Sequence, residues 1–128
     1  MKLLLDTHLV LWAASAPKRL SPAARLLLRN PENELVVSVA SFWEIVIKRG
    51  LGRDDFKVEP ARLRRGLRDN GWKELALSSD HALAVDLLPP LHRDPFDRML
   101  VAQSNVESIM LLTSDSLVSQ YPGSIKRV

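Results

Sequence analysis

Short apolar runs alternate with longer amphipathic segments along this 128-residue chain. The apolar runs predict strands at residues 2–6, 34–38, 74–77, 109–113 and 124–126. The segments between them predict helices at residues 7–14, 23–29, 40–49, 61–69, 81–88 and 95–106. Runs 2–6 and 109–113 are the most apolar, which is typical of strands buried on both faces.

Strands that alternate with helices predict parallel pairing through right-handed crossovers. We therefore expect one α/β domain over residues 1–128. Its sheet should have four or five mostly parallel strands, with helices on both faces and runs 2–6 and 109–113 at the centre.

Four carboxylates lie at strand ends or near the start of helices. Asp6 closes the first run, Glu44 follows the second strand, Asp97 opens the helix 95–106, and Asp115 follows the run 109–113. In an open α/β sheet such positions converge on the crevice where ligands bind. Because clustered carboxylates repel one another, such a group usually holds a hard divalent cation. We expect Mg²⁺ or Mn²⁺, with Asp6 and Asp97 as direct ligands and with Glu44 and Asp115 acting directly, through water, or at a second ion.

Each carboxylate also has a purely structural interpretation. Asp6 or Asp115 alone could be a helix N-cap, and Asp97 could favour its helix N-terminus through the dipole. Glu44 lies within an unusually apolar helix, where a charge needs a partner. The prediction of a metal site therefore rests on the joint placement of all four carboxylates.

The amino-acid composition limits the kinds of metal site and substrate that we expect. The chain has no cysteine, which excludes disulfides and thiolate metal sites and fits a reducing, cytoplasmic location. A net charge of +3 suits an anionic substrate. Asp6 and His8 interrupt the first apolar run, which argues against a secretion signal, and no segment is long enough to span a membrane.

Other acidic-site and nucleotide-site classes fit poorly. A haloacid-type phosphatase needs a second Asp two residues after Asp6, where this chain has His8. A response-regulator receiver needs an acidic pair before its phosphorylated strand and a lysine after the last strand, and neither is evident in this chain. Neither a phosphate-binding glycine loop nor a His-Glu-x-x-His zinc motif is present.

The chain resembles the PIN-domain ribonucleases, and in particular the VapC-type toxins of toxin–antitoxin pairs. The matching stretches are residues 4–8 (LLDTH), 37–45 (VSVASFWEI), 88–103 (LPPLHRDPFDRMLVAQ) and 111–115 (LLTSD). The segment His-Arg-Asp-Pro-Phe-Asp-Arg is the most specific of these, and the resemblance extends in order over essentially the whole chain.

This resemblance implies a set of roles. It makes Asp6, Glu44, Asp97 and Asp115 the acidic quartet that coordinates Mg²⁺ or Mn²⁺ for RNA hydrolysis. Thr7, Thr113 and Ser114 border that site and are candidates to assist it. Asp94 is expected outside the metal shell, as a cap on the helix that begins at Pro95. The family also implies a cognate antitoxin and a homodimer of toxins.

The remaining polar and aromatic residues allow several roles. Arg93 and Arg98 are candidate RNA-phosphate contacts, although Arg98 could equally pair with Glu44 or Asp97. Basic residues of the helix 61–69 and of the stretch before it could follow an RNA backbone or form a solvated surface: Lys48, Arg49, Arg53, Lys57, Arg62, Arg64, Arg65 and Arg68. Structural roles are expected for His8, His81 and His92, and core or interface positions for Trp12, Phe42 and Trp43.

These observations predict a metal-dependent endoribonuclease that acts as a toxin. The alternatives are a non-catalytic RNA- or protein-binding module on the same fold, and a metal-dependent phosphatase or DNA nuclease.

Overall fold

The computed structural model describes residues 1–128 and contains one five-stranded sheet. The strands are β1 (Lys2–Leu5), β2 (Glu34–Ser38), β3 (Lys73–Leu75), β4 (Met110–Thr113) and β5 (Ile125–Arg127). Their order is β3-β2-β1-β4-β5, and every neighbouring pair is parallel. The predicted α/β class is confirmed, and the sheet is parallel throughout.

Six α-helices connect or flank these strands. They are α1 (Thr7–Ser15), α2 (Pro22–Arg29), α3 (Val39–Gly50), α4 (Pro60–Asp69), α5 (Ser79–Ala84) and α6 (Pro95–Glu107). Each begins after a residue whose side chain accepts a backbone N–H: Asp6, Ser21, Ser38, Glu59, Ser78 and Asp94. No helix combines the length and the apolar composition that crossing a membrane requires.

Most boundaries lie within one residue of those predicted, and two elements differ by more. β3 ends at Leu75, not at Leu77, because its last partner is Ser38, where β2 ends and α3 begins. The predicted helix 81–88 is α5 followed by a separate 3₁₀ turn, Val85–Leu87. Helix α5 begins at Ser79 and not at His81, because the Ser78 hydroxyl caps it while the His81 ring accepts the Ser78 N–H.

Alternating residues of β1 enter different cores. Leu3 and Leu5 pack in the layer that contains α1, α3 and α4, whereas Leu4 packs in the layer that contains α6. All three side chains are fully buried. Helices therefore cover both faces of the sheet, as expected.

The centre of the sheet lies between β1 and β4. β1 pairs with β2 on one side and with β4 on the other, so the sheet order reverses at the β1–β4 pair. A crevice opens at such a point beyond the carboxyl ends of the strands. Asp6 and Asp115 follow these two strand ends.

Candidate metal centre

Asp6 combines a capping role with a place in the crevice. Its Oδ1 accepts the Leu9 N–H at 2.9 Å, and its Oδ2 accepts the Thr113 hydroxyl at 2.6 Å and the Ser114 N–H at 3.2 Å. Burial raises the pKa of Asp6, and these hydrogen bonds lower it, with burial the larger effect. The N-cap interpretation is therefore correct, and it leaves the carboxylate at the wall of an acidic cavity.

The Glu44 carboxylate is held by two side chains. The Thr7 hydroxyl donates to Glu44 Oε1 at 2.5 Å and lies 2.9 Å from the Ser41 hydroxyl. Lys48 Nζ donates to Glu44 Oε2 at 2.6 Å. Glu44 is 2% exposed, so this cation and hydroxyl are the partners that its position in an apolar helix required.

Asp94 caps α6 and binds the same lysine. Its Oδ1 accepts the N–H groups of Phe96 at 2.8 Å and of Asp97 at 3.2 Å, which confirms the predicted cap. Its Oδ2 accepts Lys48 Nζ at 3.0 Å. Burial alone would raise the pKa of Asp94, but Lys48 and the helix N–H groups hold it below its usual value.

Asp97 carries the strongest electrostatic signature of the site. Burial, the largest cause, and the nearby charges of Asp94, Glu44, Asp6 and Asp115 together raise its pKa from 3.8 to about 7. A carboxyl group surrounded by other carboxylates is stabilised as an anion when a cation binds among them. Asp97 therefore marks where positive charge is lacking.

Asp115 and Asp97 are joined by His92. The His92 Nε2 atom lies 3.2 Å from Asp97 Oδ2 and 3.4 Å from Asp115 Oδ2. Asp115 Oδ1 accepts the N–H groups of Leu117 and Val118. Burial would raise the pKa of Asp115, but these N–H groups and His92 together lower it.

The His92 ring has a defined orientation. Its Nδ1 accepts the Asp94 N–H at 3.1 Å, so the ring proton lies on Nε2, which faces the two carboxylates. His92, for which only a structural role was expected, lies inside the acidic cluster and contacts both Asp97 and Asp115. No metal-ligand spacing marked it in the sequence, since it comes from the loop before α6.

All of these side chains line one cavity of about 460 Å³. Its lining residues are Asp6, His8, Trp12, Arg19, Glu44, Lys48, Arg53, Asp55, His92, Asp94, Asp97, Ser114 and Asp115. A larger cavity of about 630 Å³ lies elsewhere and contains no carboxylate. The structure thus brings the four predicted carboxylates together at the carboxyl edge of the sheet.

The donor set fits a hard divalent cation. Carboxylate oxygens are the ligands that Mg²⁺ and Mn²⁺ prefer, and burial together with the neighbouring carboxylates raises the pKa of Asp97. His92, Asp97 and Asp115 place one potential ligand atom each within 4.8 Å of one another. The His92 tautomer makes this ring a hydrogen-bond donor to the other two.

Lys48 is a site residue that the sequence analysis assigned to a basic surface. Glu44 and Lys48 are four residues apart on α3, a spacing that places side chains on one helix face and could have revealed the pair. The contact with Asp94 joins positions 46 residues apart and carries no local signal.

Arg98 does not face the acidic cluster. Its guanidinium donates to the carbonyls of Val85 and Pro89 and to the Tyr121 hydroxyl. The expected alternatives, a pair with Glu44 or Asp97 and a phosphate contact, are replaced by this link between α6 and the loop that precedes it. Arg93 is exposed.

The basic surface on α4 is partly neutralised. Arg64 and Arg68 both contact Glu74 of β3. The solvated-surface interpretation describes these two residues better than an RNA track does.

The other two histidines and the aromatic residues have separate surroundings. His81 is buried and contacts Glu107, as a structural role requires, whereas His8 contacts Asp55 at the cavity rim. Phe42 packs against the core, and Trp43 is 57% exposed with its ring edge on Phe96. Trp12 packs partly on the core and also lines the acidic cavity.

Comparison with known proteins identifies the family to which the chain belongs. Residues 3–123 match the family described as PIN domain. A structure of VapBC2 from Rickettsia felis bound to a promoter DNA fragment is similar, with a TM-score of 0.74, 14% identity and coverage of 100% of this chain and 99% of that one.

Two further structures share the fold. A toxin–antitoxin complex from Klebsiella pneumoniae has a TM-score of 0.66 at 14% identity, covering 97% of this chain and 95% of that one. VapBC-1 from nontypeable Haemophilus influenzae has a TM-score of 0.60 at 17% identity, covering 99% and 98%. Comparison with curated proteins gives no significant sequence match. Because the family match spans nearly the whole sequence, the chain belongs to the PIN-domain family.

Proposed function

We propose that this chain is a Mg²⁺- or Mn²⁺-dependent endoribonuclease that acts as the toxin of a toxin–antitoxin pair. The observation that carries the proposal is the convergence of Asp6, Glu44, Asp97 and Asp115 on one cavity. The PIN-domain match gives that acidic cavity a nuclease context.

Asp6 and Asp97 would hold the cation, with Glu44 and Asp115 completing its surroundings directly or through water. The bound ion supplies Lewis acidity and lowers the pKa of water, which favours phosphodiester hydrolysis near neutral pH. Thr113 and the Ser114 N–H hold Asp6 in place. The Thr7 hydroxyl, which also contacts the Ser41 hydroxyl, does the same for Glu44.

Lys48 offsets part of the negative charge around the proposed metal site. It contacts Glu44 and Asp94, so one cation of the protein already offsets part of the acidic charge. Asp97 has no such lysine and is the carboxyl group whose pKa is raised to about 7. It is therefore the group expected to gain most from a bound cation.

Toxin function and its partners follow from similarity. Three of the similar structures are VapBC or toxin–antitoxin complexes. We propose a cognate antitoxin that covers the acidic cavity, a homodimer and a cytoplasmic location. If a small gene lies immediately upstream, its co-expression should relieve growth arrest caused by this chain, and light scattering would give the oligomeric state.

Cleavage of a labelled total-RNA pool tests the activity. Purified protein should produce discrete cuts with Mg²⁺ or Mn²⁺, none with EDTA, and none when Asp97→Asn replaces the wild type. Cleavage that persists in EDTA or in the variant would contradict the proposal. A folded protein that binds Mn²⁺ but cuts phosphomonoesters or DNA instead would favour the alternative hydrolases.

A further inference from the structure

The rim of the acidic cavity carries a series of stacked aromatic and cationic side chains. The Arg19 guanidinium lies 5.0 Å from the centre of the Trp12 ring, and the Trp12 and His8 rings are 5.9 Å apart. His8 meets Phe56 at 5.4 Å, and Arg53 lies 5.6 Å from the Phe56 ring.

Arg19 differs from the other basic residues of the cavity wall. Three lysine or arginine residues line the cavity: Arg19, Lys48 and Arg53. Lys48 is paired with Glu44 and Asp94, and Arg53 with Asp55. Arg19 makes no salt bridge and no side-chain hydrogen bond, so its donors are free to bind a ligand.

The backbone fixes Arg19 at this position. It ends the 3₁₀ turn Pro17–Arg19, in which the Arg19 N–H donates to the Ala16 carbonyl at 2.9 Å. Leu20, the next residue, is buried and anchors the turn in the core. Trp12 is itself packed on that core, so its indole provides a rigid surface for the guanidinium.

An acidic cavity that cleaves an anionic polymer needs positive charge at its edge, because the carboxylates repel the strand on either side of the reacting phosphate. Arginine suits this task, since it binds phosphate through a planar set of donors.

We infer that Arg19, held on the indole of Trp12, binds the phosphate of an RNA nucleotide next to the one that is cleaved. Arg19 is the contacting residue and Trp12 positions it. This inference rests on the proposed function, because it takes RNA as the ligand of the acidic cavity.

Binding without cleavage tests it. The probe is a fluorescein-labelled, 12-nucleotide single-stranded RNA of randomised sequence, titrated by anisotropy with Asp97→Asn protein at several salt concentrations. Arg19→Gln should weaken binding several-fold and reduce the slope of log affinity against log salt by about 0.7, the value for one lost phosphate contact on a single strand. Arg19→Lys should keep that slope, because it keeps the charge.

Arg65→Gln is the matched control. Arg65 is an exposed arginine of α4 outside the cavity lining, and its change alters the net charge equally. Trp12→Ala should weaken binding about as much as Arg19→Gln, and Trp12→Phe should restore most of the loss because a phenyl ring also attracts a guanidinium.

Equal losses in Arg19→Gln and Arg65→Gln would overturn the inference, whether or not the wild type cleaves RNA. Arg19 is exposed, so its replacement should not unfold the chain. Circular dichroism would show whether Trp12→Ala and Trp12→Phe also remain folded. Loss of binding in Arg19→Gln without cleavage by the wild type would support the RNA site and contradict the nuclease.

Discussion

The Thr7 hydroxyl donates a hydrogen bond to Glu44 Oε1 at 2.5 Å and so ties the first turn of α1 to the middle of α3. Thr7 directly follows Asp6, which ends β1. The hydrogen bond therefore ties Glu44 to the residue next to Asp6, so that two carboxylates from distant parts of the sequence are held close together. Both Thr7 and Glu44 are buried, which makes the contact rigid.

Thr7→Val removes this donor and keeps the shape of the side chain. We expect cleavage to fall about tenfold or more, the usual effect of losing a partner that orients a metal-ligating group. The free energy of unfolding should fall by about 1–3 kcal/mol, because Glu44 loses one buried partner. Thr7→Ser, which keeps the hydroxyl, should retain most of the activity in the same assay.

Replacing Lys48 tests the charge balance of the cavity. Lys48→Met leaves Glu44 and Asp94 without their shared cation, so metal-free protein should lose about 3–5 kcal/mol of stability. Added Mg²⁺ should raise the melting temperature of this variant more than that of the wild type, because the ion enters a site with more uncompensated charge.

Lys57→Met provides the control for Lys48→Met. Lys57 forms an exposed ion pair with Asp54, and pairs of this kind contribute little to stability. A Mg²⁺ response of Lys48→Met equal to that of the wild type would show that Lys48 does not compete with a metal for the acidic cluster.

The raised pKa of Asp97 predicts how stability depends on pH. In the folded, metal-free protein Asp97 holds its proton up to a pKa of about 7, whereas in the unfolded chain it loses the proton near its ordinary value of 3.8. Between these values the folded state binds more protons, so this group makes stability fall as pH rises from about 4 to about 7.

Asp97→Asn removes this titration. In EDTA at pH 8 the variant should be more stable than the wild type, by on the order of 4 kcal/mol, with little difference at pH 4. Urea unfolding at both pH values measures this. A variant less stable than the wild type at pH 8 would contradict the proposed crowding of negative charge.

His92 should act as a donor and not as a ligand. His92→Ala should weaken Mn²⁺ binding about 10- to 100-fold, because Asp97 and Asp115 lose the group that orients them. His92→Gln should restore much of this loss, since its amide N–H₂ reaches the position of Nε2. ¹⁵N NMR should find the ring proton on Nε2, and a proton on Nδ1 would contradict this role.

The sequence reveals carboxylates whose local position is informative. Asp6 and Asp115 follow apolar strands, and Glu44 is conspicuous in an apolar helix, so each has a signal within a few residues. The same is true of Asp94, whose capping role follows from the proline after it.

Residues positioned by the tertiary structure give no such signal. His92 enters the cluster from a loop whose backbone is held by Tyr121, and Tyr121 lies 29 positions later. Arg98 directly follows Asp97 in the sequence, and yet its side chain turns to carbonyls of the preceding loop. The end of β3 depends on where β2 ends, which only the pairing register determines.

The most direct test of the acidic quartet is Mn²⁺ binding by calorimetry to the wild type, Asp6→Asn, Asp97→Asn and Asp54→Asn. Asp54 is an exposed carboxylate outside the cavity lining and serves as the control. We predict Mn²⁺ binding by the wild type and Asp54→Asn, and a loss of at least tenfold in affinity in the other two. Equal affinity in all four proteins, or none in the wild type, would contradict a metal centre built on these carboxylates.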